Sequence, residues 1–473
     1  MYNLASKSIL LFFSIIIIGV LILIFVNSVS LSTIVLFLFV TTYGYKIALK
    51  FEKNTDSHFN LLPFFWLLKL IISYILLTQG WIPDLYESTN PNWGYDPQRF
   101  YSQAKDLIDN DWIFIGGLNY VGILYYYGFI FKMFGYNPFA PALINCYFSL
   151  LAIIILIKFI RNIFPTKTKG NWQFAFLLLI PELLWFDIMT SRESFVQFLI
   201  IFATVIFAKL HIFKFSKGKK LIYIILIVLT LIVLAFIRTS MLIPVLIVYT
   251  LYTFYFNHKK YISQFLKFTV IIFFVIFAYN YINELAGLSS FNLMNSANEI
   301  SKSDNNIANN GIEYGNNSIS QLLFPSNWFQ AIVFVPFRVI LYIISPLPSF
   351  GISLNGLISG QSGSYQNLMV IPSSLINIFY FPSIIALTIY SMRKKENKNF
   401  FLVLIPFWII LFSIAGGNLI IHERYRLMCS IFFVACGIIS NNNTPLSILK
   451  KYKISWFFIL LIFFIFYVIY KFI

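Results

Sequence analysis

Apolar residues run along this chain in unbroken stretches of about 18–25 residues, divided by short basic or Asn- and Ser-rich connections. Stretches such as LLFFSIIIIGVLILIFV and LIYIILIVLTLIVLAF carry no charge and do not alternate polar with apolar positions. Strands of a membrane barrel would show such alternation over about 10 residues. Continuous runs instead suit helices, which cross a hydrocarbon core of about 30 Å at about 1.5 Å per residue. The pattern predicts helices at 9–27, 31–49, 61–80, 139–163, 173–189, 194–213, 220–238, 240–257, 265–283, 367–391, 400–417, 427–440 and 454–472. Two further apolar stretches, 119–135 and 327–346, are candidates for helices that do not cross. The expected fold is all-α, a polytopic transmembrane helical bundle of about 13 spans, with residues 1–473 as one transmembrane domain and no soluble domain or repeat.

Composition agrees: 59% of residues are hydrophobic and 11% charged, where soluble domains hold about a quarter charged. The net charge of +17 would point to nucleic acid in a soluble chain. Here the lysines and arginines cluster between apolar runs, so membrane topology accounts for them and no nucleic-acid partner is expected. The clusters lie around Lys46–Lys53, Arg161–Lys169, Lys214–Lys220, Lys259–Lys267, Arg393–Lys398 and Lys450–Lys453. Placing all of them in the cytoplasm requires an even number of crossings between neighbours. The N-terminus is then cytoplasmic, and the first run is a retained helix rather than a cleaved signal. The stretch 119–135 must lie in the interface or dip back, as its tyrosines suit. The stretch 327–346, with Pro336, Pro346 and Pro348 in and beside it, is re-entrant or interfacial. Two large segments face outward: 81–138, with interfacial helices, and 284–366, Asn/Ser-rich and partly mobile. Two short ones, Thr190–Glu193 and Asn418–Arg426, join them. Cys146, Cys429 and Cys436 sit in apolar runs without metal-ligand spacing and are expected to be packing residues.

The outward basic residues are arginines: Arg192, Arg238, Arg424 and Arg426, with Arg338 in the stretch 327–346. A guanidinium keeps its charge when partly buried and matches the geometry of phosphate. Several converging on one membrane face point to a phosphate or pyrophosphate at headgroup depth. Singly, each is equally well a snorkelling side chain, a phospholipid contact or half of an ion pair. Asp96 precedes Pro97, a helix-start signature, and such a cap also fixes a carboxylate at a loop–helix junction. Asp84 and Glu87 lie beyond the end of a span, and Asp106, Asp109 and Asp111 read as a solvated face. Glu193 stands where a helix dipole favours an acid, with Arg192 as its plain ion-pair neighbour. Glu182 and Asp187 lie in or near an apolar run, where acids are functional suspects, although Asp187 is close enough to the outer face to be ordinary. In His422-Glu423-Arg424-Tyr425-Arg426, His422 and Arg426 share one helix face; a zinc motif would need a second histidine.

These elements, in this order, resemble the GT-C class of polyprenyl-phosphate-dependent glycosyltransferases, which includes the protein O-mannosyltransferases and bacterial cell-surface sugar transferases. The resemblance is carried by Gly94-x-Asp96-x4-Tyr101-x2-Ala104 in the acidic first loop, by Pro181–Glu193 ending in SRE, by Arg238-Thr-Ser, by PFRVILYIISPLP and by Glu423–Arg426. It spans about residues 61–440 through short motifs. Asp96 stands alone where many members have an adjacent acidic pair, and two spans precede the presumed first core helix. The class implies an active site at the outer face of the cytoplasmic (inner) membrane. It further implies transfer of a sugar from a polyprenyl-phosphate-linked donor to a glycan, lipid or protein acceptor. Asp96 would be the general base. Glu193 would orient the acceptor or bind a divalent cation (Mg2+ or Mn2+); no other cofactor is implied. Arg192, Arg238, Arg424 and Arg426 would hold the donor phosphate as leaving group. Tyr95, Tyr101, His422 and Glu423 are candidate substrate contacts; Tyr95, Tyr101 and Trp93 either stack on the sugar or anchor the loop.

Two rivals share the membrane setting. An O-antigen or exopolysaccharide polymerase or ligase would use outward arginines without an acid base, and the acids of the first loop weigh against it. A transporter or flippase for lipid-linked sugars would show repeats and charge at mid-membrane depth.

Overall fold

The computed structural model describes residues 13, 16, 19–20, 30–53, 61–78, 96–113, 121–164, 172–256, 328–345, 362–393, 398–417 and 423–472. The expected helix 265–283, nearly all of 9–27, Tyr95, His422 and most of 284–366 lie outside them. Every regular element among the described residues is helical. In order these are α1 (Leu31–Lys53), α2 (Leu61–Thr78), α3 (Asp96–Asp109), α4 (Val121–Phe134), α5 (Phe139–Ile163), a 3-10 segment (Trp172–Leu179), α6 (Pro181–Asp187), α7 (Glu193–Ile212), α8 (Lys217–Arg238), a 3-10 turn (Thr239–Met241), α9 (Leu242–Phe256), α10 (Trp328–Ile344), α11 (Ser362–Arg393), α12 (Lys398–Gly417), α13 (Glu423–Asn443) and α14 (Leu446–Phe472).

Among the described residues, five helical runs are long and apolar enough to cross a membrane: Leu31–Glu52, Phe139–Ile163, Glu193–Ile212, Lys217–Thr253 and Leu368–Arg393. This points to a membrane protein. The run Lys217–Thr253 turns at Arg238 (φ −159°, ψ 87°), so α8 and α9 are separate helices. At 14 residues α4 reaches only about 21 Å, and the 17 residues of α10 about 25 Å. Both are shorter than the hydrocarbon core.

One half of the bundle is built on α5, which packs against α1 and α7, while α7 packs against α8. In the other half α11 and α12 flank α13, and α10 lies on α12. The halves meet where α13 and α9 pack on α7 and where α6 packs on α11. In the first loop, α4 lies so close to α8 that a Cβ on Gly122 would fall 2.4 Å from the Phe236 carbonyl oxygen. The carbonyl of Phe134, at the end of α4, accepts from Thr33 Oγ1 (2.7 Å) and from Asn137 Nδ2 (3.0 Å), which ties that end to the start of α1.

A backbone carbonyl in an apolar setting must find a donor, so prolines inside these helices need substitutes for the N–H they lack. Pro382 in α11 frees the carbonyl of Ile378, and the Trp456 indole donates to it at 3.1 Å. Pro406 in α12 frees that of Leu402, which accepts from the Tyr252 hydroxyl. Tyr252→Phe is expected to lower stability by about 1–3 kcal/mol, because it strands the carbonyl in a buried site. Thermal unfolding in detergent reads this directly, and an unchanged melting temperature would show the bond to be dispensable.

The expected single helix 173–189 is corrected. A 3-10 segment ends at Leu179, Ile180 is extended (φ −58°, ψ 119°), and α6 restarts at Pro181. The freed groups are met from other helices: Lys69 Nζ donates to the Leu178 carbonyl (3.3 Å), and Glu182 N–H donates to Ser373 Oγ (2.9 Å). The outward connection 418–426 is corrected too, since Glu423–Arg426 form the first turn of α13. Thr190–Glu193 is a turn as expected, but every residue in it is buried. All three cysteines are buried free thiols.

Candidate functional site

Helices α3, α4 and α5 are bonded at or beside the Thr190–Glu193 turn. The Thr190 hydroxyl donates to the carbonyl of Pro97, the second residue of α3. The Tyr127 hydroxyl, from α4, donates to the Ser191 carbonyl at 2.5 Å, and Asn145 Nδ2, from α5, donates to the Met189 carbonyl at 2.9 Å. The turn is thus pinned to the start of the first-loop helix. Asp96 heads that helix and its backbone lies one residue from the Thr190 bond.

The charged groups follow from these helix ends. Glu193 opens α7 and Arg238 closes α8, the positions at which helix dipoles favour an acid and a base respectively. Their side chains pair across the two helices, Arg238 Nη1 to Glu193 Oε1 at 3.3 Å. Arg192 Nε lies 4.0 Å from the same oxygen. All three side chains are about 95% buried. Each guanidinium also faces a ring: Arg192 lies over Phe100 of α3 (5.8 Å) and Arg238 over Tyr425 of α13 (5.0 Å). Such contacts suit a weakly hydrated cation in a low-dielectric site. The sequence favoured Arg192 as the neighbour of Glu193; Arg238 is the closer partner, 45 residues away.

Of the expected site residues, Arg192, Glu193 and Arg238 come together, and Asp96 heads the helix whose Pro97 carbonyl accepts from Thr190, two residues before Arg192. Glu423 and Arg424 precede Tyr425 in the first turn of α13. Tyr101 stands against Phe131 edge-on (5.0 Å), and burial pushes its phenol up, so it stays protonated. Among the described residues no three His, Cys, Asp or Glu side chains gather as a metal set.

Arg426 has a different set of partners from Arg192 and Arg238. It is fully buried and donates to Glu182 Oε2 from Nε (3.2 Å) and Nη2 (3.1 Å). It also donates to the carbonyls of Tyr342 (2.8 Å), Ile343 (3.2 Å) and Ser345 (2.9 Å), and to Ser374 Oγ (3.2 Å). It therefore fastens α13 to α6, α10 and α11. Asp187, at the other end of α6, is not the ordinary rim acid expected from the sequence. It is fully buried 2.5 Å from Lys69 Nζ and accepts from Ser149 Oγ at 2.7 Å. Sequence reading passed over Lys69, although a lone lysine within LLPFFWLLKLIISYILL was itself a signal.

Comparison with family models, with curated proteins and with solved structures finds no match in any of the three.

Proposed function

We propose that the chain is a GT-C-like glycosyltransferase that moves a sugar from a polyprenyl-phosphate-linked donor to a glycan, lipid or protein acceptor. It does so at the outer face of the cytoplasmic membrane, in a bundle of about 13 spans with a cytoplasmic N-terminus. One observation carries the reading: the turn bearing Arg192 and Glu193 is bonded to the helix that Asp96 heads, with Arg238 paired to Glu193.

Transfer to a hydroxyl needs a base for the acceptor proton and positive charge for the departing phosphate. Asp96 supplies the first, and its place at a helix start holds the carboxylate-bearing backbone still. Arg192 and Arg238 supply the second. Glu193 keeps both guanidinium groups in place until the phosphate arrives. Arg424, one residue before Tyr425, adds charge from α13, while Tyr95, Tyr101, His422 and Glu423 serve the sugar and acceptor. Arg426 belongs to the frame of the site, since its donors are engaged with Glu182 and the end of α10. Membrane lipids surround the site and bring the donor, whose tail never leaves the bilayer.

The test is deletion in the native host, with the lipid-linked sugars sorted by leaflet. A transferase leaves its monosaccharide donor accumulated on the outer leaflet and restores the glycan when supplied in trans. Single repeat units accumulated there would mean a polymerase or ligase instead. Accumulation on the inner leaflet would mean a flippase.

A further inference from the structure

We propose that Arg338 is the ligand of a second anion site, one that takes the phosphate of a lipid. The guanidinium is fully buried in α10. None of its three nitrogens has a hydrogen-bond acceptor among the described residues. Arg426 is buried to the same degree and has a carboxylate, three carbonyls and a hydroxyl around it. An arginine does not shed its proton in a protein, so burial leaves Arg338 charged and in need of an anion.

The neighbourhood indicates which anion. The backbone carbonyls of Tyr342, Ile343 and Ser345, at the end of α10, are already engaged with Arg426. Val333 and Phe337 of the same helix are exposed, at 44% and 47%, on a chain whose apolar surface faces lipid. A buried cation on a helix that also exposes apolar side chains matches a molecule with a phosphate head and a hydrocarbon tail. A planar fork of donors also suits phosphate better than a point charge would. Isoprenoid phosphate and bulk phospholipid share this chemistry; choosing the isoprenoid rests on the proposed function, whereas the lipid-phosphate site does not.

Native mass spectrometry of the purified full chain with decaprenyl phosphate, with phosphatidylglycerol and with both separates the cases. For Arg338→Gln the expected loss of affinity is about 10- to 100-fold, the worth of a charge-assisted pair. Loss for decaprenyl phosphate, without competition from phosphatidylglycerol, establishes a carrier site. Loss for phosphatidylglycerol, with no decaprenyl phosphate bound to wild type, keeps the site and overturns the glycosyltransferase reading. Unchanged affinity for both lipids overturns the site. Arg338→Met guards against a folding artefact. Removing an unpaired buried charge should raise the lipid-free melting temperature by about 2 °C or more. A fall would mean that an acid of the chain itself pairs with Arg338, which also overturns the proposal.

Discussion

Arg426→Ala is expected to cost about 3–5 kcal/mol, enough to remove most folded protein from the membrane. The substitution strands Glu182, whose carboxylate is buried with the guanidinium, and it leaves the carbonyls of Tyr342, Ile343 and Ser345 short of a donor. The Lys69–Asp187 pair gives the internal comparison. Lys69→Met alone should be nearly as damaging, because it buries Asp187 beside an apolar chain. Lys69→Met with Asp187→Leu should recover most of that loss, since both charges are gone and only the Leu178 carbonyl is left without its donor. Glu182→Leu with Arg426→Leu should not recover, because the carbonyl end of α10 stays uncapped. Melting temperatures and membrane protein levels across the set measure this. Equal recovery of the two double variants would show that the carbonyl bonds contribute little.

Arg238→Gln is expected to lower transfer by about 10²–10³-fold while the protein still folds. Arg192 remains within 4.0 Å of Glu193, so the acid keeps a cation, but the phosphate loses the guanidinium that lies over Tyr425. Arg238→Lys should rescue little of the rate, because a point charge does not reproduce the fork or the stacked contact. Initial rates in proteoliposomes with a polyprenyl-phosphate-linked sugar read both variants. Near wild-type rates would make Arg238 a structural partner of Glu193 and nothing more.

Much of the helical frame was legible because membrane helices announce themselves by length and apolarity. Phe139–Ile163 matches expectation at both ends, and Glu193–Ile212 is displaced by one residue. The stretch 119–135 holds a helix of 14 residues, Val121–Phe134. The break at Ile180 was hidden because the run WQFAFLLLIPELLWF is apolar on both sides of it; only Pro181 marked it, and the proline alone does not say where the freed carbonyl goes. The partners that settle it, Lys69 and Ser373, stand 109 and 191 residues away from the groups they bond. Burial misled the reading of the charges: Arg426 looked like its neighbour Arg424, yet it spans 244 residues to Glu182. Charge pattern picked out Arg192, Glu193 and Arg238 one by one, but not that α7 and α8 would set Arg238 against Glu193.

In the proposed function Asp96 acts as a base at the site held by the Thr190–Glu193 turn. The most direct test is the transfer rate of Asp96→Asn in proteoliposomes supplied with the lipid-linked sugar, alongside its melting temperature. Asparagine caps a helix about as well as aspartate, so the substitution removes the charge and spares the fold. The expected rate is lower by about 10²–10⁴-fold at an unchanged melting temperature. A wild-type rate would contradict it and leave Asp96 as a helix cap.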